Sequence, residues 1–161
     1  MTKTIGRALL GAAALCLATS VAAAAGKSNL VGNWDLDVAK STLNSQAAYK
    51  SGHVAITAVK NAIKTVVDFV PSSGPAVHYD ATLGFDGVVG PVTGNTYFDS
   101  ADLVRVDHNT TIRTERRGGK VVGVTTIELA KDGKTLTSNS KGTLADGHQF
   151  TRSFVFVRAK K

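Results

Sequence analysis

The chain has one cysteine, one methionine, one tryptophan and three prolines in 161 residues. Aromatic residues make up only 6%, and the 12 acidic residues are outnumbered by 19 lysines and arginines. Each scarcity excludes something. The lone cysteine, Cys16, lies near the N-terminus, so neither a disulfide framework nor a cysteine-based zinc site holds the remainder together; core burial must do so. Few aromatics stand among the cations, which argues against a single-stranded nucleic-acid binder, where bases stack on rings between positive charges. Long apolar runs are missing too. The stretch from Ala8 to Ala18 is too short to cross a bilayer, which takes about 20 residues. Neither a nucleic-acid partner nor stable membrane insertion is therefore expected.

That first stretch reads as a targeting segment. Lys3 and Arg7 precede the apolar run, and Ala23-Ala24-Ala25 supplies the small residues that a signal peptidase reads. Residues 1–25 are expected to be a cleaved signal peptide and the protein to be exported, periplasmic or secreted. Residues 26–161 have the length of one domain with a real core. Nothing in the pattern specifies an oligomeric state.

From Leu30 onward the chain alternates with period two. Val77, Tyr79, Ala81, Leu83 and Phe85 alternate with His78, Asp80, Thr82 and Gly84, as a strand with one buried face does. Trp34, Leu36 and Val38 form a similar file, as do Ile63, Thr65, Val67 and Phe69. Strands are predicted near 31–38, 52–59, 63–70, 77–85, 98–106, 110–117, 120–130, 134–142 and 149–158, with a short one within Val88–Val92. Asp86-Gly87, Asp132-Gly133 and Asp146-Gly147 are the dipeptides of two-residue type I′ turns; Gly118-Gly119 and Asp107-His108-Asn109 punctuate two more hairpins. Val38 to Lys50 is polar and reads as a long first connection or a short helix. The fold class is all-β: an up-and-down antiparallel meander closed into a barrel of eight to ten strands, since closure removes exposed edges.

Strand parity predicts the interior. The inward set is Trp34, Leu36, Val54, Ile56, Ile63, Val67, Phe69, Val77, Tyr79, Leu83 and Phe85, then Val104, Val106, Ile112, Ile127, Leu129, Phe150, Phe154 and Phe156. Thr65, Tyr79, Thr114 and Arg152 are polar inlays on those faces. Two interiors satisfy this pattern. One is a ligand pocket walled by Phe69, Tyr79, Leu83, Phe85, Val106, Phe154 and Phe156. The other is a barrel filled by its own side chains. Thr135 to Gly142 favours the first, because a strand with one large apolar side chain, Leu136, suits a wet cavity or a barrel mouth. Arg113, Arg116, Arg117 and Lys120 cluster about a turn and read as a solvated hairpin tip.

Gly32-Asn33-Trp34 on the first strand, with Arg158 closing the last, resembles the lipocalin and wider calycin signature. Phe85-Asp86-Gly87, Pro91-Val92-Thr93-Gly94-Asn95 and Gly118-Gly119-Lys120-Val121-Val122-Gly123 are similar to segments of small exported bacterial lipocalin-like proteins. The resemblance implies that Gly32, Trp34 and Arg158 are structural, the guanidinium packing over the indole to plug one barrel end. It also implies a small hydrophobic molecule as partner.

Reactive chemistry finds no candidate. His53, His78, His108 and His148 are scattered, without metal-ligand spacing, and no serine sits in a nucleophile elbow. No catalytic residue, metal or cofactor is expected, and the chain reads as a binder rather than an enzyme. The rival reading is a protein-interaction module, such as an inhibitor of a secreted hydrolase. It would act through the Pro71–Pro75 loop or the Arg113–Lys120 hairpin.

Overall fold

A computed structural model describes residues 29–43 and 48–160; the expected signal peptide, Cys16 included, and part of the first connection lie outside them. Eleven strands follow in order: β1 (Gly32–Leu36), β2 (Thr42–Leu43), β3 (Tyr49–Val59), β4 (Ala62–Pro71), β5 (Val77–Gly84), β6 (Gly90–Thr93), β7 (Ser100–Arg105), β8 (Thr110–Arg117), β9 (Lys120–Leu129), β10 (Thr135–Thr143) and β11 (Gln149–Arg158). From β3 onward each strand pairs antiparallel with the next, and β1 pairs with both β3 and β11. This is the expected meander, closed as a barrel of ten strands. Among the described residues no helix is long and apolar enough to cross a membrane.

The eleventh strand is β2, which prolongs β1 along the edge of β11. Between them Asp37 leaves the strand and caps a single 3-10 turn, Val38–Lys40, its carboxylate accepting from the Lys40 N–H at 3.2 Å. β11 stays paired across this interruption, because its Val155 carbonyl accepts from the Asp37 N–H and its Val155 N–H donates to Ser41 Oγ. Pairing then resumes at Ser153↔Thr42 and Arg152↔Leu43.

Most turns differ from the type expected. In Asp86-Gly87, Asp132-Gly133 and Asp146-Gly147 only the glycine takes positive φ, whereas type I′ needs two such residues. The aspartate instead accepts from the backbone N–H two residues on, at 2.9–3.1 Å, as an Asx turn does. Gly118-Gly119, both at positive φ, meets the two-residue expectation.

Parity holds on β1, β3, β4, β5, β9 and β11 and fails on β7 and β8. There Ala101, Leu103, Thr111 and Glu115 are buried, while Val104 is 43% and Val106 57% exposed. The registers Ala101↔Glu115 and Leu103↔Arg113 put these inward residues on one file. A one-residue offset transfers every side chain of a strand to the other face. Val104 and Ile112 thus satisfy strand propensity on the outer file, and Arg113 and Glu115 face in.

Candidate functional site

One end of the barrel is sealed. Trp34 is fully buried and donates its Nε1–H to the Leu30 carbonyl at 2.9 Å. Arg158, directly opposite in register, lays its guanidinium 4.2 Å from the indole centroid and donates to the carbonyls of Gly133 (2.9 Å) and Val31 (3.1 Å). Gly32 has φ +149°, and a Cβ there would fall into that guanidinium. A stacked cation over a desolvated indole contributes about 0.5–2 kcal/mol, and the two hydrogen bonds fix its orientation.

Between this end and the other lies a cavity of about 190 Å³. Part of its wall is aliphatic, from Ile56, Ile63, Leu83, Leu103 and Leu136. Another part is aromatic: Phe69 stacks on Phe154 with centroids 5.2 Å apart, and Tyr49 meets both, at 4.9 and 5.6 Å. Polar groups complete the lining: Asn95, Thr96, Ser138, Ser140, Arg113 and Arg152.

Of the seven predicted wall residues, Phe69, Tyr79, Leu83, Phe154 and Phe156 line this cavity. Phe85 and Val106 do not. Phe85 carries the Arg105 guanidinium 4.2 Å from its ring, and Val106 follows β7's outward file. The expected hairpin-tip cluster also divides. Arg113 faces the interior, Arg116 pairs with Asp102, Arg117 donates to the Thr96 carbonyl, and Lys120 stays exposed.

The inward charges form a network that the alternation of apolar residues did not signal. Glu115 Oε1 accepts from Arg113 Nε (3.0 Å), from Arg113 NH2 (2.6 Å) and from Thr125 Oγ1 (2.8 Å); that hydroxyl also meets Ser140 Oγ at 2.8 Å. Burial opposes the charge on Arg113, but attraction to Glu115 and Tyr79 outweighs it and holds the guanidinium above its ordinary pKa. Burial pushes the Tyr79 phenol up, with Arg113 pulling against it, and burial with Glu115 also raises Tyr97.

Tyr97 reaches its place through local backbone chemistry. Gly94, at φ +88°, allows the chain to pass against the His78 carbonyl. The Asn95 carboxamide oxygen then accepts from the N–H groups of Tyr97 (2.7 Å) and Phe98 (3.1 Å), turning both rings over the cavity. Tyr97's hydroxyl crosses the facing glycines Gly123 and Gly142 to reach the Val122 carbonyl.

The sequence matches no protein-family model and no curated protein. The site's chemistry must be read from its own residues. Among the described residues no group of three or more His, Cys, Asp or Glu is placed to hold a metal ion. Three His–Asp contacts, His53–Asp35 at 2.8 Å, His78–Asp68 at 2.6 Å and His148–Asp146 at 3.2 Å, are solvent-exposed and off the cavity lining. Tyr49, Tyr97, Phe98 and Arg113 line the cavity without having been predicted there. The Gly94-Asn95 turn signal was the one available clue to two of them.

Proposed function

We propose that this protein is an exported, lipocalin-like binder that carries a small hydrophobic or amphipathic molecule in the barrel interior and performs no chemistry on it. One observation carries the reading. The closed barrel retains a cavity of about 190 Å³ with mostly aliphatic and aromatic walls and a few polar groups set among them. Ligand sites of small-molecule binders have this composition. For scale, an apolar cavity of about 150 Å³ takes benzene, so compact molecules fit and extended ones do not.

The loop-tip alternative draws less support, because three of the four cations invoked for its hairpin are tied up against the barrel. Thermal unfolding against neutral compounds of graded size, from toluene to long-chain alcohols, tests the interior reading. Compact members should raise Tm; saturation at a hundredfold excess over Kd stabilises by about 2.7 kcal/mol. Ala81→Phe, at a buried lining position, should abolish the response by filling the space. No shift with any compound, or an unchanged shift in Ala81→Phe, would overturn the reading.

A further inference from the structure

The cavity carries an uncompensated positive charge. Two cations line it, Arg113 and Arg152, and Glu115 neutralises the first by accepting two of its N–H groups. Arg152 makes no ion pair among the described residues. It occupies the inward file of β11 between Phe150 and Phe154, and three rings surround its guanidinium: Phe150 at 4.5 Å, Phe154 at 5.7 Å and Tyr97 at 5.8 Å. Its Nε is buried and has no hydrogen-bond partner among the described residues. The unmet Nε–H calls for an acceptor, and the unpaired charge calls for an anionic one. Ring faces attract the charge but accept no hydrogen bond of the strength a carboxylate provides.

Resting on the binding reading above, we propose that the interior site takes a small aromatic monocarboxylate, its carboxylate on Arg152 and its ring against the Phe69–Phe154 stack. The charge count selects a monoanion: one unpaired cation matches one carboxylate, whereas a phosphate dianion would leave a buried negative charge over. The volume selects a compact body, since about 190 Å³ holds a single ring with a short side arm and excludes a long acyl chain. The walls select an aromatic one, because rings prefer offset or edge contacts with rings, and the cavity offers both. Arg152 is also well placed to orient such a ligand. It lies six residues along β11 from Arg158, about 20 Å at strand rise, so the carboxylate end faces away from the sealed end.

Calorimetric titration of the full chain with phenylacetate, phenylacetamide, 2-phenylethylammonium and palmitate separates these choices. Phenylacetate should bind at least tenfold tighter than its neutral amide; the ammonium compound and palmitate should give no heat. Arg152→Met should remove the preference for the acid over the amide while keeping the amide's affinity, and Arg152→Lys should keep part of it. Comparable affinities for acid and amide in the unmutated chain would overturn the anion subsite and leave interior binding standing. So would an Arg152→Met variant that retains the preference. Silence from all four compounds, with no Tm response to the neutral series, would overturn both readings.

Discussion

Glu115 shows how much one side chain can govern. Its fully buried carboxylate is the counter-ion that permits Arg113 to stand inside the barrel, and it joins β8 to β9 and, through Thr125, to Ser140 of β10. Removing one partner of a buried ion pair strands the other, a loss of about 3–5 kcal/mol, while replacing both with apolar groups is often neutral. Glu115→Ala should therefore lower the urea midpoint by an amount of that order, and the double change Arg113→Met with Glu115→Leu should restore most of it. A double variant as unstable as the single one would refute this account. Gly32 is a second such position. Alanine there combines a φ that side chains avoid with a Cβ inside the Arg158 guanidinium, a cost of about 1–3 kcal/mol. The expected signature is a red shift of Trp34 fluorescence alongside the lowered Tm, as the indole loses its cover.

At the scale of strands and turns, alternation and turn residues were enough to locate nine of the barrel's strands closely, because a half-buried antiparallel strand must alternate. The same logic misled on β7 and β8. Val104, Val106 and Ile112 look inward only if the interior is assumed apolar, and the salt-bridged Arg113–Glu115 pair breaks that assumption without a local signal. β2 was invisible because Thr42 and Leu43, two residues paired with β11, are too few to carry a periodicity. Tyr97's position depends on Gly123 and Gly142, which oppose one another on β9 and β10 and leave room for the phenol. A Cβ at Gly142 would overlap both the Val122 carbonyl and the Tyr97 hydroxyl. Gly142→Ala should push the ring outward, so that the Tyr97 phenol, raised by burial and by Glu115, ionises closer to the ordinary value near 10. Tyrosinate absorbance against pH, with Tyr97→Phe to assign the step, measures that change directly.

Over the whole molecule these groups bound the pH range of stability from both sides. Tyr79 and Tyr97 keep their protons to higher pH when folded, so their contribution is complete below about pH 10 and is lost as pH rises through their native values. Four aspartates act in the opposite sense. A Lys40 hydrogen bond holds Asp37 below the usual carboxylate range, and the N–H groups of Gly118, Asn109 and His148 do the same for Asp99, Asp107 and Asp146. Their contribution is present above about pH 4 and lost as pH falls through their native values. Denaturant midpoints should thus decline below about pH 4 and above about pH 10, and a midpoint still climbing at pH 11 would contradict the alkaline limb. The closing seam has a different consequence. β1 and β11 are joined by hydrogen bonds and the Trp34–Arg158 stack, with the Ala159 N–H donating to the Asn33 carbonyl at 2.9 Å, so the two ends of the described chain lie side by side. The ring of strands has no privileged starting point. A short glycine–serine bridge from residue 160 to residue 29, with fresh ends cut between Gly118 and Gly119, should yield a circular permutant with the same far-ultraviolet spectrum and the same buried tryptophan.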